Sequence, residues 1–282
     1  MVGAGQKLLP ALGPTLYTAG PAACLRIIMK RRQRVMLLLA VLILVAPTSV
    51  MAQTSTTQTA PAQSASPLDP VAQVCENDLS PDKRIAACNQ LIASLPKGDP
   101  RIYRILDARG VAYFSKGEVD NAIHDYDAAI RLNPRDPVAY NNRAFAHLAQ
   151  AQPDLAIQDY NSALAINPKD FFAYASRGYV YFMGGMRAQA IQDFSTAIKI
   201  NKKYRDAYNL RGMVYYQSGK FAPAYSDFDA AARLDPKQAD SLYLRSLAGR
   251  KLGRAADADR DLASARQLDP HIDAEMSRLG LK

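Results

Sequence analysis

The chain has 282 residues, of which 49% are apolar and 22% are charged. This is the mixture of an ordinary globular protein, and it excludes a collagen-like or wholly disordered chain. The formal charge of +9 would favour a polyanionic partner if it belonged to the folded part. It does not, because residues 1–52 hold six Lys or Arg and no acidic residue, which leaves 29 basic against 26 acidic residues in the remainder. We therefore expect no nucleic-acid partner.

The first 52 residues have the pattern of an export leader, whose core is residues 29–52. A basic cluster follows Met29, an apolar run begins at Val35, and a small-residue cleavage site ends at Ala52. The run of about twelve residues is shorter than the roughly 20 that cross a bilayer. We predict a cleaved signal peptide and a periplasmic or secreted protein.

An alternative for the same segment is an uncleaved anchor in the inner membrane, formed by residues 35–51. Only in that case would the membrane be a partner. Either Met1 or Met29 could be the true start, since residues 1–28 lie ahead of the signal. Residues 53–70 are mainly Ser, Thr, Ala, Gln and Pro, so they have too little to bury to offset the entropy of ordering. We expect them to form a disordered linker.

From residue 103 the sequence repeats every 34 residues, and five copies align without a gap. In each copy, apolar residues recur at helical spacing, and in four of the five a glycine breaks the midpoint, which predicts a helical hairpin. Each first helix carries a small residue, and each second helix carries an alanine, a large apolar residue and another alanine. Four copies end at a proline, which stops one helix and starts the next. The copies are residues 103–136, 137–170, 171–204, 205–238 and 239–272.

A single hairpin of this kind exposes its apolar face, whereas five stacked hairpins bury a continuous core. The predicted fold is all-α, a right-handed superhelix of helical hairpins with a concave groove lined by the first helices. Residues 71–102 form a shortened, degenerate hairpin at one end in this prediction. Residues 273–282 form a capping helix at the other.

The third copy shows a resemblance to the tetratricopeptide repeat family through Tyr174, Gly178, Tyr181, Ala190, Phe194 and Ala197. The resemblance covers residues 103–272. It implies a non-enzymatic scaffold that binds a peptide or helix of another protein in the groove. The alternative is a membrane-tethered accessory factor in envelope assembly or secretion.

One position departs from the family pattern, because arginine stands where the family usually has leucine. An aspartate follows each arginine after sixteen residues, and bidentate pairing with a carboxylate favours Arg over Lys. We predict structural ion pairs between helices, and the alternative is a row of anion-binding arginines. The pairs are Arg109 with Asp125, Arg143 with Asp159, Arg177 with Asp193, Arg211 with Asp227, and Arg245 with Asp261.

Two cysteines lie beyond the leader, Cys75 and Cys88. An exported protein enters a compartment that oxidises thiols, so we expect a disulfide between them that strengthens the end hairpin. Two unpaired thiols are the alternative. A zinc site is disfavoured, because structural zinc usually takes four ligands.

The sequence shows no catalytic, metal-binding or cofactor-binding pattern. The three histidines occupy unrelated positions of the repeat, and no phosphate-binding loop occurs. We therefore expect no enzyme, metal or cofactor. Asn and aromatic side chains on the first helices could instead bind a peptide, although aromatics there could equally pack between repeats. The predicted groove residues are Asn141, Asn142, Phe145, Phe172, Tyr179, Phe182, Asn209, Met213 and Tyr216.

Overall fold

A computed structural model describes residues 70–77 and 80–278, and this part of the chain is helical without a strand. The described residues do not include the leader, most of the linker or the last four residues. The predicted signal-peptide cleavage therefore also lies outside them. No helix in the described part is long and apolar enough to span a membrane. The chain divides into two compact units after Ala146.

Thirteen helices lie in the described residues. The first unit contains α1 (Pro70–Asn77), α2 (Pro81–Ser94), α3 (Ile102–Lys116), α4 (Val119–Leu132) and most of α5 (Pro137–Ala149). The second unit contains α6 (Pro153–Ile166), α7 (Phe171–Met183), α8 (Arg187–Ile200), α9 (Arg205–Gln217), α10 (Phe221–Leu234), α11 (Ala239–Lys251), α12 (Ala255–Leu268) and α13 (Ile272–Arg278).

The two helices of a hairpin approach closely because the first carries a small residue where they cross. A Cβ placed on Gly212 would lie 2.7 Å from the ring of Phe228, and one on Gly110 would lie 2.7 Å from Tyr126. The flanking alanines of each second helix are also buried, as at Ala224. In these two hairpins, glycine and alanine therefore make room for one aromatic ring, and this ring fills the crossing.

The ends of the chain have their own packing. In the first unit, Cys75 and Cys88 form a buried disulfide with an S–S distance of 2.06 Å. Arg84 on α2 donates to the carbonyl oxygens of Cys75 and Ala108, at 3.0 and 3.2 Å, and so connects this hairpin to α3. In the second unit, α13 buries two apolar side chains, Ile272 and Met276, in the core beside α11.

Candidate functional site

The arginine side chains of the first, third, fourth and fifth repeats form bidentate ion pairs within their hairpins. Nε and Nη2 of Arg109 donate to the two carboxylate oxygens of Asp125, both at 2.7 Å. Hydrogen bonding to this carboxylate raises the pKa of Arg109. The same geometry occurs, at 2.5–2.9 Å, in the pairs Arg177–Asp193, Arg211–Asp227 and Arg245–Asp261.

The remaining guanidinium nitrogen, Nη1, bonds to the second helix of the preceding hairpin. Arg177 donates to Asn161 at 2.5 Å, and Arg211 donates to Ser195 at 3.0 Å. This contact was missed in the sequence, although its signal is there: the acceptor precedes its arginine by sixteen residues in four of the five cases. The other three contacts are Arg109 to Asn89, Arg143 to Asp127, and Arg245 to Asp229.

Each of these arginines therefore connects elements of the fold, and its donors are occupied by protein acceptors. Arg143 shows this within the first unit, where Nη1 lies 2.6 Å from Asp127. Its predicted partner Asp159 is buried in the second unit. Tyrosine rings add cation–π contacts, for example Tyr174 at 5.5 Å from Arg177. These contacts favour the structural role over a row of anion-binding arginines.

The predicted groove residues are mostly buried, and this corrects the expectation that they line an open surface. The buried side chains are Asn141, Asn142 and Phe145 in the first unit and Tyr179, Phe182, Asn209 and Met213 in the second; only Phe172 and Tyr216 are partly exposed. The physical reason is the close approach of the helices, which places this face of each first helix against neighbouring side chains.

Two of the predicted asparagines, Asn142 and Asn209, bond to protein groups. Nδ2 of Asn142 donates to Oδ1 of Asp107 at 2.9 Å, and Nδ2 of Asn209 donates to Oγ of Ser241 at 2.9 Å. Burial raises the pKa of Asp107 to about 7, and the bond from Asn142 only partly offsets it. These amides connect neighbouring first helices instead of presenting donors to a peptide.

A partly buried charged cluster lies on the first helices of the second unit. Nη1 of Arg205 lies 3.0 Å from Oδ1 of Asp240, and Nη2 lies 2.7 Å from Oδ1 of Asp206. Burial raises the pKa of Asp240, and the positive charge of Arg205 opposes that rise. The side chains keep 12–18% of their surface exposed. We name this cluster, together with Phe172 and Tyr216, the first-helix face.

No three His, Cys, Asp or Glu side chains of the described residues lie close enough together to hold a metal ion. Nδ1 of His147 lies 2.9 Å from the side-chain amide oxygen of Gln152, and its Nε2 lies 3.7 Å from Oδ2 of Asp159.

Three family models match the chain. A model described as "TPR repeat" matches residues 110–150, and models described as "Tetratricopeptide repeat" match residues 137–170 and 205–238. Comparison with curated proteins gives no match.

Solved structures share this fold. MamA is 22% identical with a TM-score of 0.54, over 58% of this chain and 96% of its own. YrrB, described as "a TPR protein with an unusual peptide-binding site", is 20% identical with a TM-score of 0.55, over 70% of this chain and 100% of its own. A MamA fragment from Desulfovibrio magneticus RS-1 is 17% identical with a TM-score of 0.55, over 62% and 97%.

Proposed function

Because the chain is a tetratricopeptide repeat protein, we propose that it is an exported scaffold that binds a peptide or helix of a partner protein on its first-helix face. Proteins of this family are typically interaction scaffolds without catalytic activity. The observation that carries the proposal is the run of five in-phase copies over residues 103–272. Throughout this region the chain forms helical hairpins.

The first-helix face has the side-chain types that dominate protein interfaces. Phe172 and Tyr216 offer aromatic surface, and Arg205 lies between two carboxylates that fix its direction. Tyr and Arg are enriched among the residues that carry most of the binding energy at interfaces. The peptide-binding site described for YrrB supports a peptide as the partner.

Export is supported by two features that are independent of the repeats. The leader combines a basic cluster, an apolar run and a small-residue cleavage site. Cys75 and Cys88 lie in a disulfide, a bond that persists in oxidising compartments and is rare in the cytosol. A periplasmic or secreted location accounts for both.

The test is partner capture by the intact protein with the first-helix face altered. We expect the double variant Phe172→Ala, Tyr216→Ala to reduce crosslinking to its partner at least tenfold, since both aromatic anchors are removed. Leu155→Ala is the matched control, because Leu155 is an exposed apolar residue on the second helix α6. Circular dichroism melts must show that all three proteins are folded. Undiminished capture by the double variant would exclude this face as the binding site.

A further inference from the structure

A cavity of about 350 Å³ opens at one end of the α9–α10 hairpin in the second unit. Its volume is at the small end of the range of about 300–1,000 Å³ for ligand pockets, which suits one anchoring side chain better than a large cofactor. Tyr208 and Leu234 supply its apolar surface, and Leu234 is 39% exposed. The polar lining consists of Lys202, Ser226, Asp229 and Arg233.

The cavity has an excess of positive charge. Its one carboxylate is already neutralised, because Oδ1 of Asp229 lies 2.7 Å from Nη1 of Arg245 and Oδ2 lies 2.7 Å from Nη2 of Arg233. Lys202 has no carboxylate partner among the described residues. The same holds, within that part of the chain, for two exposed neighbours, Lys199 and Lys203.

The repeats provide an internal comparison for this turn. The turns after α4, α6 and α10 each place a proline before a single basic residue, as in Pro168-Lys169. The turn between α8 and α9 has Lys202-Lys203 in the same two positions, and Lys199 precedes them in the last turn of α8. Relative to the other repeats, this turn gains one cation, Lys202, and that residue lines the cavity. We name Lys199, Lys202 and Lys203 the lysine turn.

We propose that the lysine turn and the adjoining cavity are a second docking site, whose occupant is an acidic linear segment of another protein with one apolar anchor. The anchor enters the cavity beside Leu234 and Tyr208, and the carboxylates of the segment meet the unpaired lysines. Charge complementarity is what selects an acidic segment. The site uses no residue of the first-helix face.

The experiment measures fluorescence anisotropy of a labelled ten-residue peptide of Glu and Asp with one central Leu, added to the intact protein. Two further peptides replace the acidic residues with Gln and Asn, or the Leu with Gly. The test variant is Lys202→Glu, Lys203→Glu. The control, Lys220→Glu, Lys251→Glu, makes the same charge change at two exposed lysines outside this turn. Vesicles of phosphatidylglycerol are measured in parallel, and melts confirm that both variants are folded.

We expect the acidic peptide to bind at least tenfold more weakly to the test variant, with little change in the control. Removing either the acidic charge or the Leu should weaken binding to the wild-type protein, and added salt should weaken the acidic interaction. Equal losses in the test and control variants would overturn the proposal, because they would reflect net charge alone. Binding of vesicles without binding of the peptide, or equal binding of the neutral peptide, would also overturn it.

Discussion

Arg177 illustrates how one side chain can connect three helices. Its Nε and Nη2 bind Asp193 on α8, while Nη1 binds Asn161 on α6. A leucine at this position could pack against the neighbouring helices but could not fix their register. The planar guanidinium can do both, because its donors point in set directions while its carbon stem is largely buried.

The pairing can be tested by a double-mutant cycle on Arg177 and Asp193. Either Arg177→Leu or Asp193→Leu should cost about 3 kcal/mol or more of unfolding free energy, because the partner is left partly buried without its counter-charge. The double variant should lose less than the sum of the two, since no charge is stranded. Urea unfolding measures all four proteins, and additive losses would show that the two side chains are not coupled.

The glycines at the helix crossings differ from other helical glycines in what lies beside them. Gly212→Ala should destabilise the protein by about 1–3 kcal/mol, because its Cβ would meet the ring of Phe228 at 2.7 Å. Gly249→Ala is the matched control: its Cβ would lie 3.5 Å from Ala258 and Tyr225, an ordinary contact, and alanine favours the helix by up to about 1 kcal/mol. A comparison of melting temperatures checks the opposite signs; a Gly212→Ala protein as stable as wild type would contradict the packing argument.

At the scale of the helical element, the break within each hairpin is a turn with one left-handed residue. Gly117, Gly185, Gly219 and Gly253 have φ angles between 71° and 82° there. In the second repeat the same position is Ala151, with φ 58°, the one positive-φ residue other than glycine in the described chain. The backbone still forms the same bonds, from Ala151 N to Leu148 O at 3.0 Å and from Gln152 N to His147 O at 2.9 Å.

Ala151→Gly should therefore stabilise the protein by about 1 kcal/mol, because an L-residue in the left-handed region carries a steric cost that glycine avoids. The reverse change, Gly185→Ala, should destabilise it by a similar amount, since nothing but the backbone angle opposes a Cβ there. Urea unfolding of both variants measures the difference. Destabilisation by Ala151→Gly would show that backbone entropy outweighs the relief of strain at this turn.

At the scale of the whole molecule, the two ends of the repeat array are closed by different means. The amino-terminal hairpin is short, and a disulfide together with Arg84 supplements its packing. The carboxy-terminal helix α13 contributes apolar side chains and no covalent link. The cross-link suits the smaller element, since closing a loop of about 14 residues is worth about 3 kcal/mol in the chain-entropy model.

If the chain is exported, its mature form should have two properties that mass spectrometry can detect. We expect the first residue to be Gln53 and the intact mass to rise by about 2 Da on reduction, as two thiols replace one disulfide. Expression with the leader in a bacterial host, followed by fractionation and mass spectrometry, measures both. A full-length, membrane-bound product would contradict cleavage and favour an anchor at residues 35–51.

The helical hairpins could be predicted from residues that recur at fixed positions of the repeat. Gly178, Ala190 and Phe194 recur at the same positions of the repeat, and their sizes alone dictate where two helices can cross. The binding site was less predictable. Asn209 and Tyr179 are residue types that are common at protein interfaces, but both lie in the packed interior. Helical spacing assigns a residue to a face of its own helix, and it does not say how near the next helix comes.

The sequence by itself determined the hairpins, their number and their phase, because helix periodicity, turn residues and side-chain volume act over short distances along the chain. Only the tertiary structure decided which polar groups are satisfied internally and which surfaces stay open. Arg211 acquires Ser195 as a second hydrogen-bond partner, and Asn209 acquires Ser241, from neighbouring hairpins. Such contacts depend on the distance between elements, and that distance is set by the packing of the whole core.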